Sequence, residues 1–401
     1  MATGVTSKKR KEDAPFRLDY VGKLAEREVL QLPAVEPTSW PIELFCESGE
    51  LFQGDNLGAM LWLLKTKSLR NKVRCVYIDP PYATAQAFVD RDANHAYEDV
   101  LNGAHYIESL RRRLIVLREL LANDGSIFVH LDQTMIFEIK LVMDEVFGRS
   151  QFRNFITRKK CNTKNYTRNQ FGNIADHILF YSKSDDYVWH RQYDEWSDER
   201  MLEEYPYVDK ATGRRYKKVP IHAPGIRNGE TGKPWRGKVP PLGKHWQFKP
   251  SKLDELDAAG EIYWSPNGNP RRLVFFDPKK GIPAQDIWMQ YKDAHNQNIQ
   301  ITGYPTEKNF DLLTRIISAT TNPDDLVLDC FCGSGTTLES AARLGRRFIG
   351  IDAGLPAIEA TLKRLQFGRE PMGDFVGRRG QTVRRKSRRP KQPTLFQHLD
   401  D

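Results

Sequence analysis

Apolar residues in the first half of the chain predict two buried strands joined by a helix. Val73–Ile78 reads VRCVYI, a β-branched run typical of a buried parallel strand, and Ser126–Leu131 is a second such run. Between them, apolar residues over Ala104–Leu121 recur at helical spacing, opposite a face rich in Lys, Arg and Glu. This order predicts a βαβ unit with a right-handed crossover. Asp176–Lys183, a turn and Tyr187–His190 predict a hairpin on the same sheet.

A second βαβ unit is predicted near the end of the chain. A helix over Asp311–Ala319 precedes the strand Leu326–Cys330, a glycine-rich turn, a helix over Thr337–Leu344 and the strand Arg347–Ile351. A last helix lies near Ala357–Leu365. We therefore predict an α/β fold with a doubly wound, mostly parallel sheet.

Residues from about 190 to 300 differ from both flanks. They hold many of the prolines and glycines, five of the eight tryptophans and repeated basic clusters, with no sustained period. This composition predicts a loop-rich domain inserted into the α/β framework. Its tryptophans (Trp196, Trp235, Trp246, Trp264 and Trp288) are expected to fill a small core more often than to contact a ligand.

Composition excludes disorder throughout the chain, because 39% of the residues are hydrophobic and 11% aromatic. The net charge is +9, but residues 378–391 hold eight Lys or Arg and no acid, which leaves +1 elsewhere. A basic balance suggests an anionic partner, although here it describes mainly that tail.

We find no apolar run long enough to span a membrane and no secretory signal at the N-terminus. The five cysteines form no CxxC pair, which favours free thiols in a reducing, intracellular compartment.

A glycine-rich turn joins the second predicted strand–helix pair. Leu326–Thr337 reads LVLDCFCGSGTT, in which Gly333 and Gly335 allow a ligand to approach the backbone at a helix N-terminus. Asp352, at the end of the next strand, is placed to accept hydrogen bonds from ribose hydroxyls. The third glycine of the dinucleotide fingerprint is missing, so a plain strand-to-helix turn is the alternative. The chain also lacks a phosphate-binding GxxxxGK[ST] loop, which argues against ATP-driven translocation.

A second motif, Asp79-Pro80-Pro81-Tyr82, directly follows the first predicted strand. It is therefore expected at the carboxyl edge of the sheet, where α/β proteins bind ligands. The prolines fix two φ angles and leave carbonyls to face a ligand, while Asp79 can accept a hydrogen bond from an amine and Tyr82 offers a flat face. Together these groups suit the exocyclic amine of a stacked base; a rigid Pro-Pro turn is the alternative.

Together, the two motifs make the chain resemble the β class of S-adenosylmethionine-dependent DNA amino-methyltransferases, the adenine-N6/cytosine-N4 family that includes type III modification subunits and stand-alone relatives. Three further elements are similar to that family: LFQGDNLGAMLWL, TGYPTEKNFDLLTRII and FGNIADHILFYSK. The resemblance covers roughly residues 50–190 and 300–365, in the order DPPY, variable region, glycine loop. It implies a circularly permuted, Rossmann-like methyltransferase sheet in which the two motif strands are adjacent.

The resemblance also implies domain boundaries. Residues 1–40 are expected to be a flexible tail, 41–190 the catalytic half, 191–300 an inserted target-recognition domain, 301–370 the cofactor-binding half and 371–401 a basic tail.

Roles for individual residues follow from the matching motifs. The catalytic set is Asp79, Pro80, Pro81 and Tyr82. The cofactor-binding set for S-adenosyl-L-methionine is Asp55, Lys308, Asn309, Asp329, Phe331, Gly333, Gly335, Thr336 and Asp352, with no metal. Asn309 and Cys330 stand where the family more commonly has proline. DNA contacts are predicted for Arg158, Lys159, Lys160, Arg214, Arg215 and Arg236.

The implied reaction is direct, in-line methyl transfer to the N6 of an adenine flipped out of double-stranded DNA. No Pro-Cys dipeptide is present, which argues against methylation at cytosine C5. The alternatives are transfer to cytosine N4 or to RNA, or a DNA-binding specificity subunit without activity. A second copy of the chain or a restriction subunit is a further candidate partner. The expected location is cytoplasmic, at the nucleoid of a bacterial or phage-type host.

Overall fold

The computed structural model describes residues 17–42, 48–81, 103–162, 169–293, 300–301, 307–368 and 370–371. Tyr82 and the basic tail after residue 371 lie outside these residues. The chain divides into two compact units: a small unit, Arg191–Ala284, and a large unit formed by the chain on either side of it.

The described strands lie in both units. In chain order they are β1 (Thr38–Trp40), β2 (Gly49–Gln53), β3 (Val73–Ile78), β4 (Leu121–Leu131), β5 (Phe152–Lys159), β6 (Ala175–Ser182), β7 (Tyr193–Asp194), β8 (Tyr207–Val208), β9 (Arg215–Pro220), β10 (His222–Pro224), β11 (Lys244–Trp246), β12 (Ile262–Trp264), β13 (Pro270–Phe275), β14 (Ile282–Pro283), β15 (Ile287–Trp288), β16 (Gln300–Ile301), β17 (Leu326–Asp329), β18 (Arg347–Asp352) and β19 (Glu370–Pro371).

The described α-helices include those of both predicted βαβ units. They are α1 (Glu26–Gln31), α2 (Asn56–Lys65), α3 (Gly103–Leu120), α4 (Ile136–Phe147), α5 (Asp198–Glu204), α6 (Pro250–Ala258), α7 (Phe310–Thr320), α8 (Thr336–Arg343) and α9 (Leu355–Phe367). Within the described ranges, none is long and apolar enough to cross a membrane.

The large unit is built on one sheet with the strand order β1-β2-β18-β17-β3-β4-β6-β5-β15. From β2 to β4 all neighbours are parallel, whereas β6 is antiparallel to both β4 and β5. The predicted α/β fold with a mostly parallel, Rossmann-like sheet is confirmed. The strands that carry the two sequence motifs, β3 and β17, are direct parallel neighbours although they lie far apart in the chain.

Helices cover both faces of this sheet, which explains why β3 is apolar at every position except Arg74. Val76 and Ile78 belong to the core shared with α2, α3 and α4, while Cys75 and Tyr77 belong to the core shared with α7, α8 and α9. A strand buried on both faces cannot alternate apolar and polar residues. The sequence run therefore identified a central strand correctly.

The predicted hairpin is wrong in its partners. β6 lies between β4 and β5, and Tyr187–His190 is not a strand in the structure. The missed strand, β5, reads FRNFITRK and is only partly buried along most of its length. The charged residues interrupt the apolar pattern, so the sequence did not predict this strand.

The chain before residue 40 also departs from the predicted flexible tail. Within residues 17–40, α1 packs its buried Val29 into the core of the large unit, and β1 pairs with β2. Glu26 is paired with Arg118 at 2.8 Å, and Lys23 with Glu145 at 2.7 Å. These elements are too short to show a period, so the sequence did not reveal them.

The small unit has its own sheet, β12-β13-β9-β8, and its own core. Trp235 and Trp246 are buried there, and Trp264 stacks on Trp235 with ring centroids 5.2 Å apart. The unit ends at Ala284, earlier than the predicted boundary at 300, because β15 joins the large sheet beside β5. Trp288 therefore packs in the large unit.

Candidate active site

Four acidic residues follow parallel strands of the large sheet at the same edge. Asp79 follows β3, Asp329 and Asp352 end β17 and β18, and Asp55 follows β2. Because these strands are parallel neighbours, their carboxyl ends converge, as expected for the ligand-binding edge of an α/β sheet. No group of His, Cys, Asp or Glu suited to a metal ion occurs in the described part of the chain.

Asp79 forms an ion pair that the sequence did not suggest. Its Oδ2 lies 2.5 Å from the ammonium of Lys308, and the exposed fractions of the two side chains are 19% and 12%. Lys308 was predicted to bind the cofactor, whereas here its cation contacts the predicted catalytic carboxylate. The pair joins the end of β3 to the segment that precedes α7.

The glycine loop between β17 and α8 is tightly packed. Gly335 has φ +72°, and a Cβ at this position would lie 2.7 Å from the hydroxyl of Thr361 on α9. That hydroxyl donates to the carbonyl of Gly333, which itself has φ +49°. Only glycine satisfies both the left-handed backbone and the close approach at position 335.

Asp329 braces this loop from inside. Its two carboxylate oxygens accept hydrogen bonds from the Phe331 amide at 3.0 Å and the Thr337 hydroxyl at 2.6 Å. Only 2% of Asp329 is exposed. Burial, with a smaller contribution from Asp79 and Asp352, raises its pKa to about 7. A buried carboxyl in this position orders the loop rather than presenting a free face to a ligand.

The raised pKa of Asp329 predicts a pH-dependent stability. The folded protein holds this proton more tightly than an unfolded chain, in which the pKa is 3.8. The stabilisation that the protonated Asp329 contributes to the folded state is therefore fully present below pH 3.8 and is lost as the pH rises through about 7. We expect urea-unfolding midpoints of Asp329→Asn to depend less on pH across this window than those of the wild type. The control Asp311→Asn, at an exposed site, should keep the wild-type profile; equal slopes for Asp329→Asn and the wild type would contradict the assignment.

Asp352 also holds backbone in place. Its oxygens accept hydrogen bonds from the amides of Gly333 and Gly354, each at 2.9 Å, and burial raises its pKa. Each oxygen keeps a second lone pair, so a ribose hydroxyl remains a chemically suitable partner. Asp352 thus connects the glycine loop to the end of β18.

Asp55 and Phe331 lie near the same cation. Asp55 caps α2 through the Gly58 amide, is 63% exposed and lies 3.1 Å from Arg113. The Arg113 guanidinium is also 6.0 Å from the centre of the Phe331 ring. Arg113 was missed in the sequence because it reads as one of several basic residues on the outer face of α3.

Asn309 acts as a helix cap. Its Oδ1 accepts from the amides of Asp311 and Leu312, and its Nδ2 donates to the Lys292 carbonyl at 3.0 Å. Three of its four hydrogen-bonding positions are therefore used within the protein, which explains an asparagine here better than contact with a cofactor does. An Asn directly before a helix is a cap signal that the sequence already carried. Thr336, in the first turn of α8, is also buried.

The prediction that Arg158 contacts DNA is wrong for this structure. Arg158 is 0% exposed; its guanidinium pairs with Asp293 and lies 3.7 Å from Asp176. Lys160 pairs with Asp176 at 2.8 Å, so it is also engaged within the protein. Lys159, next to both, is half-buried, and its contact with DNA stays a prediction.

A buried histidine lies beside this cluster. Tyr77 donates a hydrogen bond to Nδ1 of His130 at 2.7 Å when that nitrogen is the acceptor, and Nε2 lies 3.6 Å from Asp176. Burial lowers the pKa of His130, which keeps its ring neutral. Nothing in the sequence marked this histidine, because it lies in an otherwise apolar strand.

The three basic residues predicted to bind DNA from the small unit have different surroundings. Arg214 is exposed, and its guanidinium lies 4.8 Å from the centre of the Phe275 ring. Arg215 donates to the carbonyl of Tyr205 at 3.2 Å. Arg236 pairs with acids on α6, which partly compensate its charge. Their DNA contacts stay predictions.

Comparison with known proteins assigns the chain to a family. The model of the family described as DNA methylase, which covers N6 and N4 methyltransferases, matches residues 73–363. The chain belongs to this DNA methylase family. It is 46% identical to the type II methyltransferase M.EcaI of Enterobacter cloacae over 90% of this chain and 80% of that protein.

More distant similarity extends to other methyltransferases. The Mod subunit of the type III restriction-modification enzyme StyLTI of Salmonella typhimurium is 26% identical over 82% of this DNA methylase and 56% of that subunit. The crystal structure of the M1.HpyAVI–SAM complex is 17% identical, with a TM-score of 0.40, over 79% of this chain and 99% of that chain.

The enzyme is a DNA methyltransferase of the N6/N4 family, and S-adenosylmethionine is its methyl donor. The carboxyl edge of the sheet fits this cofactor. Gly333 and Gly335 present backbone at the start of α8, and Asp352 offers carboxylate lone pairs one strand away.

Proposed function

We propose that this DNA methylase transfers a methyl group to the N6 amine of adenine in double-stranded DNA. The observation that carries the proposal is the pairing of β3 with β17, which places Asp79 beside the strand that leads into the glycine loop. Asp79 can accept a hydrogen bond from an amine, and the glycine loop beside it is the proposed binding site of the cofactor. An aspartate, rather than a serine, before Pro80-Pro81 supports adenine over cytosine, by resemblance to the family's motif.

In the proposed mechanism, the chain holds and orients the amine. A base paired in a duplex cannot reach a pocket at the sheet edge, so the target is flipped out at a cost of about a few kcal/mol. Asp79 accepts a hydrogen bond from the exocyclic amine, which keeps the nitrogen lone pair directed at the methyl group. S-adenosylmethionine, when bound, would supply that methyl group from its sulfonium and would leave as the neutral thioether, while the proton that the amine loses passes to Asp79 and then to solvent. No side chain of the enzyme is needed as a covalent nucleophile, so catalysis rests on positioning and electrostatics.

Lys308 gives this mechanism a defined starting state. Its ammonium is a hydrogen-bond donor to Asp79 at 2.5 Å before any base is present. The amine of the target would share Asp79 with this ammonium or replace it. We therefore assign Lys308 to the positioning of Asp79, beside its predicted place in the cofactor pocket. Asp352, Gly333, Gly335 and Phe331 are assigned to that pocket.

The small unit is assigned to target recognition. It has a separate core, and its surface carries aromatic and basic residues on short strands, which suits contacts with base edges and phosphates. The names of the relatives support a place in a restriction-modification system, in which a restriction subunit or a second copy of the chain is a further partner.

The direct test is incubation with labelled S-adenosylmethionine and duplex DNA, followed by digestion to nucleosides and mass analysis. We expect the label in N6-methyladenine. Label in N4-methylcytosine would overturn the assignment of the base, and label on RNA alone would overturn the substrate class. A parallel reaction with RNA of the same sequence serves as the control.

A further inference from the structure

The small unit contains a cavity of about 270 Å³ that none of the predicted DNA-binding residues lines. It opens where β9 and β13 meet the β10–β11 pair: Pro220 is opposite Arg271, and His222 is opposite Trp246. Trp246 is buried in the core, and Pro270 adds a rigid apolar side. The cavity therefore borders the core of the small unit.

Two cations line this cavity, and no acidic side chain does. They are Lys238 and Arg271. Neither pairs with a carboxylate anywhere in the described ranges. Some other cations of the same unit are paired: Arg236 with Asp254, Lys249 with Glu230, Lys217 with Glu204 and Arg272 with Glu261. Lys238 and Arg271 thus give the cavity a positive lining that no acidic side chain of the cavity offsets.

The turn that leads into β13 forms one side of the cavity. A Cβ at Gly268, which has φ +68°, would lie 3.2 Å from the ammonium of Lys238, so this glycine leaves room for the cation. Asn269 follows directly, and its backbone N–H donates a hydrogen bond to the Ser265 hydroxyl at 2.9 Å. His222 adds a neutral ring at neutral pH, because burial, with Lys244 and Arg271, lowers its pKa.

The two cations, the neutral polar groups and the apolar walls of the cavity together suit a small anion that has an apolar part. The volume lies just below the range of roughly 300–1,000 Å³ that drug-sized ligands fill, so a single small group fits better than a large ligand. Two cations and neutral hydrogen-bonding groups on an apolar wall suit a phosphodiester with its attached sugar. Such contacts position a protein on DNA without reading its sequence.

We propose that this cavity binds one backbone phosphodiester of duplex DNA, with its charged oxygens held by Lys238 and Arg271. The proposal rests on the proposed function, because it makes the cavity an anchor for the DNA methylase on its substrate. A free phosphate ion shares the same chemistry, and the experiment separates the two sources.

The test measures binding of the full-length protein to short duplex DNA, by fluorescence anisotropy, over a series of salt concentrations. The variant is Lys238→Gln with Arg271→Gln. We expect its affinity to fall by roughly tenfold. We also expect the plot of log affinity against log salt to become shallower, its negative slope losing about 1 in magnitude, as for the loss of one phosphate contact. In a second arm, inorganic phosphate replaces chloride at constant ionic strength, and wild-type binding should not change.

The matched control is Lys210→Gln with Lys279→Gln, which removes the same charge from exposed positions of this unit that do not line the cavity. It should keep the wild-type salt slope within error. If both double variants lose the same slope, the effect is general electrostatics and the cavity proposal fails. Unchanged affinity of the cavity variant would also overturn it, as would competition by inorganic phosphate, which would assign the cavity to the free ion.

The failure of the cavity proposal can be distinguished from the failure of the proposed function. Retained binding of S-adenosylmethionine shows that the variant is folded. Methylation of DNA by the wild type, with no effect of the cavity variant, refutes the cavity alone, whereas a wild type that methylates no DNA refutes the proposed function.

Discussion

Replacement of Asp79 by alanine is expected to lower the rate of methyl transfer to DNA by roughly 10³-fold or more. Asp79 is the only carboxylate of the DPPY motif and the acceptor proposed for the exocyclic amine. The loss should appear in single-turnover transfer of label to DNA. Binding of S-adenosylmethionine, measured by calorimetry, should be largely retained, because Asp352 and the glycine loop keep their own hydrogen bonds.

Two comparisons make this result specific. Asp311→Ala removes an exposed acid two residues after Asn309 and should leave the rate unchanged. Asp79→Asn keeps the size of the side chain but removes the charge that pairs with Lys308, so we expect it to be nearly as impaired as Asp79→Ala. An Asp79→Ala enzyme that methylates DNA at the wild-type rate would refute the mechanism.

Replacement of Arg364 by methionine is expected to cost about 3–5 kcal/mol in the free energy of unfolding. Arg364, on α9, is 1% exposed and bridges two buried glutamates: Glu307 at 2.5 Å and Glu339 at 3.0 Å. Removal of the shared cation leaves two buried carboxylates without it. Because Glu307 directly precedes Lys308, the same variant should also lower the affinity for S-adenosylmethionine.

Arg343 offers a matched control for this cluster. It pairs with the same Glu339 at 2.7 Å, but its side chain is 55% exposed. Arg343→Met should therefore cost only about 0–1 kcal/mol in a urea-unfolding experiment. Adding Glu307→Gln and Glu339→Gln to Arg364→Met should restore part of the lost stability. If Arg364→Met and Arg343→Met are equally mild, the buried cluster does not support the fold.

Much of the fold could be predicted from the sequence because the elements that carry it are locally encoded. Nearly every residue of β3 is buried, and one face of α3 is buried at every turn, so both elements leave a regular apolar pattern in the sequence. The positive φ angle at position 335 requires glycine, so the glycine loop could also be recognised from the sequence. Strand β5 and helix α1 were missed, since a short or half-exposed element leaves no period.

The predicted site was less complete, because the role of a charged residue depends on its surroundings. Lys308 reads as part of a cofactor motif, yet its ammonium contacts Asp79. Asp329 reads as a ligand, yet it is buried and braces the loop. Arg158 reads as a DNA contact, yet it is inside the protein. For Lys308 and Arg158 the partner is distant in the chain, and for Asp329 it is the burial of the carboxyl that decides its role.

By itself, the sequence determined the α/β class, the two motifs and the family that they resemble, because hydrophobic patterning, backbone conformation and residue type are local properties. Only the tertiary structure decided which acids meet which cations: Asp79 with Lys308, Arg364 with Glu307 and Glu339, and Arg158 with Asp293. It also decided which cations of the small unit stay uncompensated around a cavity. The physical reason is that charge pairing depends on distance in space and on burial, neither of which a single residue records.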